Sequence, residues 1–435
     1  MKKTYDLEIY QLGICGLQSP TDNVKPMDLS YIWGNFKINE KVNFKRLKEA
    51  INYCIEKNDG LRVKYCYKNG VLKQYFADYE PLELDIIDLQ DELQIQELQE
   101  KILNTPLDMV ENYLYKIQIY RLPNKHGGVI IKLNHSILDG WSIGLIAYEI
   151  VNKYIGKFIF PITGSYESYF GKKDKYEKDK KRVKIDRDFY ENLFKDGIPD
   201  LAVFPQSKPV KESYSFESAE EKYLIDNAIV KSIKEYCKEH RISINRFLSA
   251  SFCLLLSKIS NSKKFCMAGM LSNRKSFIEK FTVGMFTQVY CYVVDCTNKP
   301  FIDFVKDVDR SISDAFKHRG FFSISGNDLK IINRFDPDRK VGFSTNSFIY
   351  QNVNLQTNKK DLKYEVTGDS SPTTMGSDIV VHVLDMESED KFLITYDYPV
   401  EKYSKEDIDT YHAELINIIN QVLKDDNIYL DDINI

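Results

Sequence analysis

The stretch from Gly128 to Tyr148 reads G-V-I-I-K-L-N-H-S-I-L-D-G-W-S-I-G-L-I-A-Y, and its reading decides how the 435-residue chain is understood. Val129 to Leu133 is a short β-branched apolar run of strand type, and it ends on Asn134 and His135. Four residues after the histidine come Asp139 and Gly140, and then Ile143, Ile146, Ala147, Ile150, Val151 and Tyr154 fall on one helical face. A strand therefore gives way to a helix through a loop carrying the spacing H-x-x-x-D-G.

Histidine titrates nearest neutrality, so an imidazole at a strand end can take a proton from a nucleophile approaching a carbonyl. Asp139 could orient that ring, or brace the loop by pairing with a buried cation, and Gly140 permits a turn that a side chain would obstruct. The same residues also admit a structural reading, in which His135 is a hydrogen-bonded core histidine and Asp139 simply N-caps the helix near Trp141. Spacing alone leaves both open.

Composition narrows the field. A chain of this length usually divides into two or more core-forming units. Charged residues make up 29%, hydrophobic residues 43%, and the net charge is -4, an ordinary globular balance with no global pull toward nucleic acid or a membrane surface. No leader-type apolar region follows Met1, and no run approaches the roughly eighteen apolar residues of a membrane span. A cytoplasmic protein is expected. Eight cysteines are scattered without C-x-x-C and six histidines without ligand-type spacing, so reduced core thiols and no metal are expected.

Working outward, Phe44 to Ile55 marks an amphipathic helix stopped by Asn58-Asp59-Gly60. Two alternating segments, Leu61 to Tyr67 and Val71 to Ala77, flank the hairpin signal Lys68-Asn69-Gly70, with Arg62 at the start of the first. A polar helix near Leu89 to Leu103 and a strand from Leu114 to Arg121 lead back to the opening motif. Between Gly171 and Arg187 lie nine basic and four acidic residues with almost nothing apolar. This reads as a solvated crossing between lobes, or as a basic surface for an acidic partner.

The second half repeats the vocabulary. A helical stripe at Ile229 to Cys237 and a buried helix from Ile244 to Ile259 come first. Strands are expected at Phe265 to Met270 and Phe286 to Asp295, a helix at Phe301 to His318, and a strand at Phe343 to Tyr350. A hairpin, Asp378 to Met386 with Phe392 to Tyr398, precedes a final helix whose Ser404 and Asp407 form a capping-box-like pair. Alternating helices and strands in both halves argue for an α/β fold of two sandwiches, divided as 1–175 and 176–435 with a linker near 171–187.

No G-x-S-x-G elbow, phosphate-binding loop, dinucleotide fingerprint or carboxylate cluster in a persuasive context accompanies the histidine. Acyl transfer from a thioester to an amine or hydroxyl suits such a site, because the thioester is already reactive and needs little beyond proximity, deprotonation of the nucleophile and oxyanion stabilisation.

At this point the residues resemble a known family, the condensation domains of nonribosomal peptide synthesis within the chloramphenicol-acetyltransferase-like superfamily. Its core motif H-H-x-x-x-D-G is similar to Asn134 through Gly140. Glu56 to Val63 resembles the segment ending in L-R-T, Ser165 to Phe170 the short aromatic motif, Gly269 to Arg274 the strand ending in a small loop with arginine, and Val283 to Phe286 the V-G-x-F segment. Tyr396-Asp397-Tyr398 before the final helix also follows the family pattern. The likeness covers essentially the whole chain with its motifs in order.

The resemblance implies two acetyltransferase-like lobes in a V-shaped pseudodimer with an active-site tunnel between them. It implies His135 as the catalytic residue, with Asp139, Gly140, Arg62 and Asn134 supporting the site and Arg62 paired to Asp139. Trp141, Ser142, Asn273, Arg274, Gly284, Met285, Phe286 and Gln288 become tunnel candidates. No bound cofactor or metal is expected. Phosphopantetheine would arrive on a peptidyl or acyl carrier protein, or as coenzyme A, and the acceptor would be a free amine or ride on a second carrier. Asn134 departs from the family's first histidine, and Gln288 stands where asparagine is common. No carrier L-G-G-x-S signature is present, so a free-standing, monomeric acyltransferase is expected. Rival readings are a coenzyme A-dependent O- or N-acyltransferase, although the plant-type D-F-G-W-G segment is absent, and a non-catalytic domain that recruits carriers.

Overall fold

The computed structural model describes residues 3–17, 19–159, 161, 164–209, 217–321, 327–339, 342–351, 363–372, 374, 377–386 and 390–435. They form two α/β units. The first comprises Met1–Lys178, Ser272–Thr287 and Leu355–Ser371, and the second Asp179–Leu271, Gln288–Asn354 and Pro372–Ile435. A linear division near residue 175 therefore assigns two short pieces of the C-terminal half to a different unit from the one they join.

The first unit is organised on the strand Gly127–Asn134, every residue of which is buried. Tyr31–Ile38 and Tyr115–Arg121 pair with it antiparallel on either side. Ile86–Asp88 then runs parallel to Tyr115–Arg121, and Tyr364–Ser370 closes the other edge antiparallel to Tyr31–Ile38. Leu93–Asn104 covers this sheet through Ile95, Leu98 and Ile102, which meet Tyr120 and Ile130. The helices Phe44–Lys57 and Gly140–Ile155 pack together, burying the stripes Leu47, Ala50, Ile51, Cys54 and Ile143, Ile146, Ile150.

The predicted hairpin is present. Val63–Lys68 pairs with Val71–Phe76 in register Lys68 opposite Val71, and Asn69 and Gly70 take φ of 53° and 75°, the two left-handed positions of a type I′ turn. Tyr5–Asp6 adds a third strand to it.

The second unit holds a six-stranded sheet in the order Thr287–Asp295, Lys264–Ser272, Asn346–Gln351, Ile379–Met386, Lys391–Pro399, Ser218–Leu224. Asn346–Gln351 is parallel to both neighbours, and the expected C-terminal hairpin pairs Ile379–Met386 with Lys391–Pro399. The helix Ile244–Ser260 is buried continuously from Phe247 to Ser257. It shares one core with Asn227–His240, Phe301–Lys317 and Lys405–Lys424. All eight cysteines are buried, and none forms a disulfide. Among the described residues no single helix is long and apolar enough to cross a membrane.

The charged stretch expected as a crossing is helical, spanning Glu167–Lys178 and Lys180–Leu193; the side chains at 171–174 lie outside the described residues. Part of its charge is spent internally. Arg182 pairs with a fully buried Asp186 at 2.9 Å, and Tyr190 and Phe194 anchor the second helix in a satellite core.

The final helix shows both halves of the capping box. Ser404 Oγ accepts from Asp407 N–H, and the Asp407 carboxylate accepts from Ser404 N–H at 2.7 Å. Ser404→Ala is expected to destabilise the second unit by about 1 kcal/mol. The check is a lower urea midpoint at unchanged slope; an unmoved midpoint would contradict it.

Candidate functional site

Gly127–Asn134 ends where His135 N–H donates to the Ser30 carbonyl at 2.9 Å, which stops the strand and turns the chain out of the sheet. His135 is half-buried, whereas Asn134, Ser136, Ile137, Leu138 and Asp139 are buried around it. The loop therefore presents one imidazole from an otherwise sequestered segment.

Asp139 does two jobs that sequence reading treated as alternatives. Its Oδ1 caps the helix Gly140–Ile155, accepting from Ser142 N–H at 3.0 Å and from Ser142 Oγ–H at 2.9 Å. The same carboxylate also forms a bidentate pair with Arg274, whose Nη1 reaches Oδ2 and whose Nη2 reaches Oδ1 at 3.0 Å. Both side chains are 3% exposed. Phe286 N–H donates to Asp139 Oδ2 at 3.2 Å, so the carboxylate is fully occupied.

The expected pairing of Asp139 with Arg62 is therefore corrected. The Arg62 guanidinium donates to three carbonyls, Ala77 at 3.0 Å, Ile55 at 2.7 Å and Glu56 at 2.6 Å. It ties the C-terminus of Phe44–Lys57 to the hairpin, where orphan carbonyls attract a cation. The cation for Asp139 comes instead from the segment 272–287 of the same unit.

Arg274 is spent on architecture. Beyond Asp139 it donates to Ser142 Oγ at 2.9 Å and to the carbonyls of Glu279 and Thr282 at 3.1 and 3.2 Å. Its guanidinium lies 4.3 Å from the Phe286 ring centroid. Ser142 completes the stitch, since Gly284 N–H donates to its hydroxyl at 3.0 Å. Asn273 N–H donates to the Phe286 carbonyl, and Met285 and Phe286 are buried. Trp141 is exposed and donates its indole N–H to the Lys280 carbonyl at 2.9 Å. Gln288 is buried at the start of the second unit's edge strand.

Backbone contacts fix the approach of these motifs. A Cβ at Gly60 would lie 2.2 Å from the Val283 carbonyl oxygen, and one at Gly284 would lie 2.3 Å from the Tyr166 ring. Asp59 accepts from Tyr166 N–H at 2.8 Å, and Tyr166 donates to the Met285 carbonyl at 3.0 Å. The segments carrying Asp59, Tyr166, Arg274 and Gly284 thus meet within the first unit, behind the loop of His135.

Asn134 has a definite place. It is completely buried, its Oδ1 accepts from Ser136 N–H at 2.9 Å, and its Nδ2 donates to Asp28 Oδ1 at 2.7 Å. Asp28, Lys132, Ser136 and Tyr65 belong to this arrangement, and sequence reasoning passed over all four. Lys132 carried a signal, since a charged side chain inside a strand buried on both faces must find a partner. Asp28 sits in a polar stretch with no pattern around it and gave none.

A family model described as Condensation domain matches residues 31–435. Bacitracin synthase 3 of Bacillus licheniformis is 23% identical over 424 residues, covering 95% of this chain and 6% of that protein. This chain thus spans a small fraction of that synthase. Among solved structures, the condensation domain of monacolin K polyketide synthase superposes with a TM-score of 0.82 at 13% identity, covering 98% of this chain and 99% of that one. The starter condensation domain of rhizomide synthetase, solved in complex with C8-coenzyme A, superposes with a TM-score of 0.78 at 12% identity, covering 99% and 98%. At these identities the superpositions establish the fold.

Removing one partner of a buried ion pair strands the other, which costs about 3–5 kcal/mol, while losing hydrogen bonds to helix-end carbonyls costs about 1–3 kcal/mol. Arg274→Ala is therefore expected to lower the thermal midpoint more than Arg62→Ala. Equal midpoints in the two variants, measured by calorimetry, would contradict the reassignment of the pair.

Proposed function

The chain belongs to the condensation domain family, and we propose that it joins an acyl or aminoacyl thioester, carried on the phosphopantetheine arm of a carrier protein, to an amine. The family forms amide bonds in nonribosomal peptide synthesis. The amine nitrogen attacks the thioester carbonyl carbon, a C–N bond forms, the C–S bond breaks, and the pantetheine thiol departs with the proton that the amine gives up.

One observation carries this reading. Asp139 is committed to Arg274 and the cap of Gly140–Ile155, so it serves the loop, and the imidazole at the strand end is the group left to act on substrate. A thioester needs no more than a placed nucleophile and a base of suitable pKa. His135 receives the amine proton and holds the nucleophile against the carbonyl. Asp139, Gly140, Arg274 and Asn134 maintain the loop, and Arg62 supports the hairpin beside it. Trp141, Ser142, Asn273, Gly284, Met285 and Phe286 shape the surroundings of the site.

The donor rides on a peptidyl or acyl carrier, and the acceptor is a free amine or a second carrier's aminoacyl group. The protein acts as a monomer. Eight buried cysteines outside any disulfide suit a reducing compartment, and we place the reaction in the cytoplasm. A second reading replaces the carrier with coenzyme A, which presents the same pantetheine thioester. The rhizomide starter domain, captured with C8-coenzyme A, favours keeping it in the test.

His135→Ala is expected to lower product formation from an acyl-loaded carrier and an amine by about 10²–10⁴-fold, with the thermal midpoint unchanged. Turnover close to that of the unsubstituted protein would remove His135 from the chemistry. Acyl-carrier and acyl-coenzyme A offered in parallel decide the donor by their ratio of kcat/KM.

A further inference from the structure

We propose that Asp28 and Lys132 are positioning residues for His135, acting through the orientation of the Asn134 carboxamide. The inference rests on the reading of His135 as the acyl-transfer residue. It adds two charged groups outside the motif, Lys132 just before it and Asp28 far from it in sequence.

The device is a ring closed around the histidine. Asn134 Oδ1 accepts from Ser136 N–H at 2.9 Å, two residues on, which is an Asx turn with His135 at its apex. The Ser136 hydroxyl donates to the same oxygen and in turn accepts from Tyr65 Oη–H at 2.7 Å. The Ser136 carbonyl accepts from Gln11 at 2.9 Å. Both neighbours of His135 are thus anchored by side chains, while His135 itself is held through its backbone N–H to Ser30.

A carboxamide closes such a turn in one of its two orientations. Flipped by 180°, Asn134 would aim its amino group at the Ser136 N–H, donor against donor. Asp28 decides between the two. Its Oδ1 lies 2.7 Å from Asn134 Nδ2, so the flipped amide would face a carboxylate with its own oxygen. Asp28 is fixed in its turn. Its side chain is fully buried, its Oδ2 accepts from Leu107 N–H at 3.0 Å, and that oxygen lies 2.7 Å from Lys132 Nζ.

Lys132 is equally committed. Its ammonium reaches Asp28 and the carbonyls of Leu103 and Thr105 at 2.8 and 2.9 Å, accounting for all three donors. It also lies 4.6 Å from the Tyr31 ring centroid. A saturated buried ion pair is costly to build, and here it terminates on the one amide that closes the turn. A neutral imidazole also offers one donor and one acceptor, which gives a chemical reason why asparagine can stand at 134 where the resembled motif has histidine: Asp28 takes the donor and Ser136 N–H the acceptor in either case.

The test reads His135 directly and separately from turnover. Protein labelled with ¹⁵N in the histidine rings is compared by NMR, with His135→Ala identifying the resonance. Asn134→Asp keeps the turn's acceptor but sets carboxylate against carboxylate, and it is expected to shift or broaden the His135 ring signals. The exchanged pair Asp28→Asn with Asn134→Asp restores one donor and one acceptor at unchanged net charge, and it is expected to return the signals toward their original positions. With an acyl-coenzyme A or acyl-carrier donor and an amine, kcat of Asn134→Asp should fall about 10–100-fold with KM within about twofold, and the exchange should recover most of it. A merely structural pair would move the thermal midpoint without moving the ring signals of the folded protein. Should Asn134→Asp fail to fold, Asn134→Ala serves in its place. His135 ring signals unmoved in a folded Asn134 variant overturn the proposal. Signals that move in an enzyme inactive with every donor uphold the positioning and overturn the proposed function instead.

Discussion

The bidentate contact between Asp139 and Arg274 is the constraint on which the first unit's site depends. It joins residues far apart in the chain, and with both side chains 3% exposed neither charge has water to fall back on. Its strength lies less in attraction than in the penalty for separation, because desolvated charges tolerate no half-formed partner. Once the pair exists, Ser142, Gly284 and Phe286 find their donors and acceptors within the same small volume. A helix start, a strand end and a remote loop are thereby held in one register.

The division of labour in H-x-x-x-D-G follows from that. An aspartate accepting from a guanidinium, a helix-start N–H, a serine hydroxyl and a distant backbone N–H has nothing left for an imidazole. The backbone N–H of the histidine and the anchored residues on either side of it fix the chain there. Under the proposed function, a thioester asks little of a base, and an imidazole placed at the strand end is matched to that demand.

Much of this was legible in the chain. Periodicity found Gly140–Ile155 and Lys405–Lys424, because each carries a long, regular helical pattern, and the compact β-branched run Val129 to Leu133 marked the strand Gly127–Asn134. Asn69-Gly70 announced a hairpin that needs two positive φ values. Tyr364–Ser370 escaped, being a polar edge strand whose ladder partner lies more than three hundred residues away, at Tyr31–Ile38; no local pattern encodes such a pairing. The partner of Asp139 was misjudged for the same kind of reason. Arg62 and Arg274 each sit beside a recognisable motif, and only three-dimensional placement distinguishes an arginine facing helix-end carbonyls from one facing a carboxylate. Lys132, the one charge in a fully buried strand, was on view from the start, and its meaning depended on an aspartate in an unpatterned loop.

The edge strand Tyr364–Ser370 also places a demand on how the chain comes to be folded. Its partner Tyr31–Ile38 precedes it by more than three hundred residues, so the edge it covers stays open while all of these are made. At ribosomal rates that interval is on the order of tens of seconds. Throughout it, a nascent sheet exposes unpaired N–H and C=O groups of the kind that recruit foreign strands. The sheet of the first unit is thus completed by a strand made much later than its partner, and its safety during synthesis depends on that strand arriving before another chain does.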